Sequence, residues 1–347
     1  MSSHAAQTEL QQLAEVSARI GAERLLVQGP GGNTSLKLGD EMWVKGSGVW
    51  LAEAQQRQIF TCVSLEQVRA RLAAGEAEDL SDTVLPQGDP SLRPSIETSL
   101  HALMPHPAVV HAHAVGAMTV SVLADGEARA SDALGHEIRW AWIPYRRPGM
   151  PLAGIIAEIL AKGPVDVLIL ENHGVVVGGE TPALAEALLR EVEHRLAFPQ
   201  TALPDPDIGR LDAMETAAYE ALREVSGIAL DAELTAALIA APLFPDQVVF
   251  LGGAAPQVER GESLQAASER VHAQTGVMPA VVIAPGVGVF GLRARTRAAD
   301  SVIRGMMDVA VRLPRGARVR GLPDGAIPAL LNWDAEAYRI KLAGGGA

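Results

Sequence analysis

The sequence predicts an α/β fold. Helical and strand-like segments alternate over the first two hundred residues, and 48% of the 347 residues are hydrophobic, enough for a substantial core. Leu10, Leu13, Val16 and Ile20 recur at helical spacing, so the chain opens on a surface helix rather than a signal peptide. A glycine-rich loop, QGPGGNTS, leads to strands at LKLG and EMWVKGSG and to a helix near LEQVRARLAA. The acidic loop GEAEDLSDTVLPQGDPSLRPS ends at Pro94 and Ser95, and Ser95 is the expected N-cap of a helix running through Glu97 to Met104. Next come a strand AVVHAHA, a helix to about Leu123, a strand IRWAWIPY, a helix LAGIIAEILAKG and a strand DVLILEN. After His173 follow a strand GVVVGG and a helix from Thr181 to about Leu196.

The proline-rich stretch 198–210 marks a boundary, giving domains at 1–200 and 211–347, the second again mixed α/β. Two segments, one from Val167 and one from Ala280, share the order apolar strand, turn, glycine-containing strand, long helix. They fit a duplicated unit in which Val287 stands where His173 does. The glycines of GVGVFG, 286–291, match a dinucleotide-binding spacing, but the helix starts near Thr296 instead of inside the glycines, which argues against that use.

Composition narrows the function. The sole cysteine, Cys62, excludes an internal disulfide and a cysteine-based metal cluster within one chain, and suits the cytoplasm. The net charge of -12 is spread along the chain with no dense basic cluster, so no nucleic-acid partner is expected. The longest small and apolar stretch, Ala108 to Ala124, is interrupted by two histidines and is too short to span a bilayer, so no membrane segment is expected.

Those two histidines, His111 and His113, are one residue apart in a strand and share a face. Two buried imidazoles side by side would repel if charged and waste polar groups if unpaired, a cost that a shared metal ion removes. The spacing alone fits a hydrogen-bonded structural pair equally well. His173, at the end of another apolar strand beside Asn172 and Gly174, is a third candidate ligand. Glu97, at the start of the helix feeding the histidine strand, is a candidate ligand or acid/base, with a first-turn glutamate favoured by the helix dipole as its plainer role.

In order, GPGGNTS, VKGSG, PSIETSLH, VVHAHA and ENHGVVVGG resemble the class II aldolase/adducin family over about residues 8 to 197. From QGPGGNTS through LFPDQVVFLG to LLNWDAEAYRIKLAGG the chain is also similar to the aldolase part of bifunctional rhamnulose-phosphate aldolase/alcohol dehydrogenase proteins, without their dehydrogenase part. The resemblance implies a three-layer α/β/α domain with a mixed central sheet, followed by a smaller C-terminal α/β extension. It places His111, His113 and His173 on the family's zinc ligands and Glu97 on its acid/base. Cobalt, iron and manganese also suit three histidines. The implied reaction is cleavage or formation of a carbon–carbon bond in a ketose phosphate through a metal-stabilised enediolate. Epimerisation, decarboxylation and a non-catalytic adducin-like interaction module are the alternatives.

The resemblance also assigns the substrate phosphate to Asn33, Ser47, Gly48 and Ser95, although Ile96 replaces a second serine found in some aldolases, which leaves room for a carboxylate or an unphosphorylated sugar. Lys45 is a possible source of charge in the site. Tyr145 is the nearest candidate for the tyrosine acid of related aldolases. The family further implies a homotetramer.

Overall fold

Antiparallel pairing of apolar segments far apart in sequence creates the frame that carries the histidines. The computed structural model describes residues 3–344. They divide into two units, one holding residues up to Ser121 with Glu127–Ala197, the other Val122–Gly126 and the chain from Phe198 onward.

In chain order the first unit contains α1 (Ser3–Ala22), β1 (Asn33–Leu38), β2 (Glu41–Lys45), β3 (Phe60–Ser64), α2 (Leu65–Ala74), α3 (Thr98–Leu103), β4 (Ala108–Ala112) and α4 (Val115–Ser121). It continues with α5 (Gly126–Leu134), β5 (Trp140–Ile143), α6 (Met150–Leu160), β6 (Val167–Leu170), β7 (Gly174–Gly179) and α7 (Pro182–Arg195). The strands form one mixed sheet in the order β3-β2-β1-β4-β7-β6-β5, antiparallel throughout except for β5 with β6.

The period of two along each strand sorts side chains between two helical layers. Val109 of β4 and Val176 of β7 pack with Leu100 and Met104 at α3 and with Leu152 and Ile156 of α6. Met42, Val44 and Val63 extend that layer under Val68 of α2 and Ala102 of α3. On the opposite face, Thr34 of β1 meets Ser17 of α1 through hydroxyls 2.7 Å apart, while the neighbouring Ser35 turns to α3. Arg19 of α1 in turn reaches Glu186 of α7. The first unit is therefore a three-layer α/β/α domain with a mixed central sheet, the architecture that the sequence predicts.

Several local expectations differ. α3 begins at Thr98, and Ser95 does not cap it: Ser95 Oγ accepts from the Glu97 backbone N–H, two residues on, and Glu97 occupies the N-cap position. A short Ser turn thus precedes the helix. Strand β3 and helix α5 have no counterpart in the sequence reading. α4 stops at Ser121, short of Leu123, and β5 covers only four residues of its predicted eight.

The second unit is built on a three-stranded antiparallel sheet, β8 (Tyr219–Ala221), β9 (Val281–Ala284) and β10 (Gly288–Leu292), in the order β8-β10-β9. Its helices are α8 (Ile208–Met214), α9 (Ala232–Ala240), α10 (Pro245–Leu251), α11 (Leu264–Thr275), α12 (Arg297–Ala310), α13 (Ala326–Leu331) and α14 (Asp334–Gly344). Leu211 of α8 and Leu264 and Ala267 of α11 close over Tyr219, Val282 and Phe290. Gly286 and Gly288 serve the β9–β10 turn, and α12 starts beyond it on a Thr296 cap, so the GVGVFG glycines do not open a helix. The hairpin also repeats the pairing of β6 with β7: Ala284 opposes Gly288 as Leu170 opposes Gly174, and Gly286 and Asn172, both with positive φ, hold the same loop position. Among the described residues no single helix is long and apolar enough to cross a membrane.

Candidate metal centre and active site

β4 carries the centre because it lies between β1 and β7. On the face where Val109 enters the core beneath α3 and α6, the next two odd positions are His111, near the strand end, and His113, just past it. β7 pairs with β4 through His111 and Val176, and its lead-in loop brings His173 to the same end. That loop is tight. Asn172 adopts a left-handed φ of 54°, and a side chain on Gly174 would place its Cβ 2.5 Å from the Ala112 carbonyl oxygen. The three rings have centroids 4.9 to 5.3 Å apart, and one nitrogen from each lies within 4.8 Å of the others, all buried.

His111 Nδ1 lies 3.0 Å from the Val175 carbonyl oxygen. A carbonyl oxygen only accepts, so Nδ1 carries the hydrogen and the Nε2 lone pair faces the other two rings. Nitrogens about 2.1 Å from one ion keep a mutual separation of roughly 3.4 Å, so these rings need only small rotations to share one. Donor chemistry and spacing both fit a divalent ion held by His111, His113 and His173.

Glu97 completes the group from the N-terminal side of α3. Its Oε2 is 3.3 Å from His111 Nε2 and its Oε1 3.5 Å from His173 Nε2. Burial alone would raise this carboxyl. In the metal-free protein the positive charge that His111 and His173 carry when protonated, the Asn33 hydrogen bond and the charge of His113 together outweigh burial and hold it down at about 2.

The glycine-rich loop presses on the same place. A Cβ on Gly31 would sit 2.7 Å from His113 Nδ1, so glycine there permits a contact that any other residue would break. Asn33 opens β1 directly opposite His111. The turn after β2 is tied to the lead-in of α3: the Ser47 N–H donates to the Arg93 oxygen, the Ser95 N–H to the Lys45 oxygen, and Gly46 bridges Pro94. Gly48 turns the chain at φ 74°. Asn33, Ser47, Gly48 and Ser95, scattered over more than sixty residues of sequence, thereby lie on segments that meet beside Glu97. Ser95 Oγ accepts from Asn33 Nδ2 at 3.2 Å and from the Glu97 N–H at 3.3 Å, which leaves its own hydrogen available to donate.

Lys45 takes a role other than a source of charge in the site. Lys45 is fully buried, and its Nζ donates to the carbonyl oxygens of Pro30 and Val49, so it clamps the glycine-rich loop to the turn after β2. Tyr145 has a buried hydroxyl that makes no hydrogen bond among the described residues, and burial pushes it up to about 12. Its backbone N–H donates to Glu171 Oε2, two residues before His173. His101, which no motif in the sequence singles out, lies in the hydrogen-bond network behind Glu97. Its signal is faint: one histidine in PSIETSLH, four residues after Glu97 and so on the same helical face.

Comparison with known proteins supplies the family. The model of the Class II Aldolase and Adducin N-terminal domain matches residues 11–198. The uncharacterized oxidoreductase YuxG of Bacillus subtilis (strain 168) is 34% identical over 188 residues, a match covering 50% of this chain and 27% of that protein, so the chain spans about a quarter of this relative's length. The solved N-terminal class II aldolase domain of a conserved protein from Thermoplasma acidophilum is 27% identical with a TM-score of 0.48, over 54% of this chain and 92% of that one. L-fuculose-1-phosphate aldolase from Thermus thermophilus is 20% identical with a TM-score of 0.38, over 55% of this chain and 91% of its own. With the family model covering more than half of its length and three buried histidines converging in that region, the chain belongs to the class II aldolase and adducin N-terminal domain family.

Proposed function

We propose that the protein is a metal-dependent aldolase that cleaves or forms a carbon–carbon bond in a ketose phosphate or a related sugar. The observation that carries this reading is the buried Glu97 carboxylate within 3.5 Å of two of three converging imidazoles. An inert scaffold has no physical reason to bury such groups together. His111, His113 and His173 hold the ion, which we take to be zinc. When bound, it supplies positive charge against the negative charge that develops on the substrate's carbonyl oxygen.

The chain's own groups do the rest. As the carbon–carbon bond breaks, the hydroxyl on the departing carbon gives up its proton and becomes the aldehyde carbonyl, the bond's electron pair stays on the carbon next to the remaining carbonyl, and Glu97 delivers a proton to that carbon; in the reverse direction it removes that proton. Ser47, Gly48 and Ser95 face the substrate's anionic end with hydroxyl and backbone donors, and Asn33 orders the group from behind. Uncharged donors suit a protein of net charge -12, which must bind an anion locally. We assign this chemistry to residues 1–200, with 211–347 as a separate α/β domain, in a cytoplasmic homotetramer.

Elemental mass spectrometry of protein purified without chelators, beside His111→Ala and His173→Ala, tests the site. About one equivalent of a transition metal in the wild type and none in either variant is expected. A screen of ketose phosphates and free ketoses for aldehyde release then tests the reaction. Turnover to an epimer or to carbon dioxide would keep the centre and replace the chemistry. A wild type that stays metal-free after incubation with zinc would overturn the reading and favour an adducin-like binding module.

A further inference from the structure

His101 is a buried histidine that the metal centre does not use. It lies on α3 one turn beyond Glu97 and is fully enclosed. Its Nδ1 is 2.7 Å from Ser35 Oγ, and its Nε2 makes a short hydrogen bond to Asn33 Oδ1. Asn33 turns its other end to Glu97, with Nδ2 2.8 Å from Oε2. Ser35 and Asn33 share a face of β1, as His101 and Glu97 share a face of the α3 segment, so the four side chains close into one chain of hydrogen bonds.

The direction of two of the bonds in that chain follows from one atom. An ionised carboxylate only accepts, so Asn33 must present its NH2 group to Oε2. Its carbonyl oxygen then faces His101, which must carry its hydrogen on Nε2. Nδ1 is left as an acceptor, and the Ser35 hydroxyl donates to it. An imidazolium would also satisfy both ends, by donating from Nδ1 to the Ser35 oxygen, so burial decides between the two forms. Burial, partly opposed by the charge of Glu97, takes His101 down to about 3 and keeps it neutral. Without a donor at Nε2, the Asn33 carbonyl oxygen loses its buried partner, and only the bonds at the NH2 end hold the amide against Glu97.

We propose that His101 is a positioning residue that, through Asn33, fixes Oε2 of Glu97 as a standing acceptor and leaves Oε1 as the oxygen that takes up and returns the substrate's proton. This rests on the reading of Glu97 as the acid/base. Oε1 accepts no hydrogen bond among the described residues, whereas Oε2 is held by Asn33. A hydrogen bond to one carboxylate oxygen lowers its basicity, so the proton bond forms at the other.

The test compares His101→Phe, which keeps the ring and removes the donor, with His101→Gln, whose side-chain NH2 can replace Nε2. Three signals are read on the zinc-loaded protein: bound zinc, the side-chain amide resonances of Asn33 in 15N spectra, and the kinetics of aldehyde release. The phenylalanine variant should keep about one equivalent of zinc and lose the slowly exchanging Asn33 amide pair. Its kcat should drop at least about tenfold with KM within about twofold. Glutamine should restore the amide pair and most of kcat. An unchanged amide pair in the phenylalanine variant, or a folded glutamine variant that restores neither signal, would overturn the proposal. If the phenylalanine variant does not fold, Ser35→Ala reads the same signals, because it removes the hydrogen bond that holds the His101 ring at Nδ1; an undisturbed amide pair there is equally adverse. Glu97→Gln separates the two layers: full turnover in that variant would end Oε1's role together with the acid/base reading, whereas lost turnover with the Asn33 pair intact in wild type supports both.

Discussion

Replacing Gly31 by alanine tests whether the glycine-rich loop belongs to the metal centre. Gly31 has an ordinary φ, so alanine meets no backbone penalty there, and the effect comes from its Cβ alone. That atom would lie 2.7 Å from His113 Nδ1, 2.9 Å from His113 Cε1 and 2.8 Å from the Gln28 carbonyl oxygen. Restoring an ordinary contact of about 3.4 Å requires the ring and the loop to separate by about 0.7 Å, while metal–ligand bonds tolerate deviations of about 0.2 Å. If the ring yields, zinc affinity should fall by about 10- to 100-fold, the range seen when ligand-supporting groups are disturbed, equal to about 1.4–2.7 kcal/mol. If the loop yields, overpacking should cost about 1–3 kcal/mol of metal-free stability. Zinc competition against a chromogenic chelator and urea unfolding read the two terms separately. Gly154→Ala is the control: no atom lies within 4 Å of its Cβ, and in the middle of α6 alanine should stabilise by about 0.5–1 kcal/mol. A Gly31→Ala protein with wild-type zinc affinity and stability would refute the contact between loop and ligand.

Three further outcomes are expected. Lys45→Met should destabilise by about 2 kcal/mol or more in urea titrations, because the buried Pro30 and Val49 carbonyl oxygens lose the ammonium that they accept from. Burial, with Glu41 and Asp40 nearby, pushes the Cys62 thiol up to about 12, so a thiol reagent at pH 8 should find no reactive group in the native protein and one per chain in denaturant. In metal-free protein Glu97 binds its proton less readily when folded, at about 2 against an ordinary 4.5, so its stabilising contribution is complete above pH 4.5 and is lost as pH falls toward 2. Glu97→Gln should therefore flatten the acid side of the stability profile by up to about 1.4 kcal/mol per pH unit, and parallel profiles would show that the carboxylate is not held down.

The candidate metal ligands were legible because their signal is local. Two histidines at i and i+2 in an apolar strand have few purposes, and His173 stands at a strand end of the same kind. Helix α2 was readable from its periodicity and β7 from its valines, and both lie where expected. What escaped depends on partners distant in sequence. Phe60–Ser64 alternates neither cleanly nor for long, and only pairing with β2 makes it a strand. His101 takes its meaning from Ser35 and Asn33, more than sixty residues earlier, which no local pattern joins to it. Lys45 reads as a site charge or a solvated strand residue until the fold encloses it against two carbonyl groups. Ser95 has the chemistry of an N-cap, but Asn33 and the Glu97 N–H engage its hydroxyl before the helix begins.

The position of β4 between β1 and β7 fixes when the centre can come into being. Of the candidate ligands, an unfolded chain holds only His111 and His113 next to each other, because His173 arrives sixty residues later and Glu97 needs α3 seated on the sheet. Closing loops of that length precedes any reward from coordination, so the ion has little to hold in the folding transition state. A metal that meets its ligands only in the finished sheet stabilises by mass action on the native state. Its kinetic mark should be slower unfolding at an unchanged folding rate, a property that lets a cell load the ion after synthesis and keep the loaded form for longer.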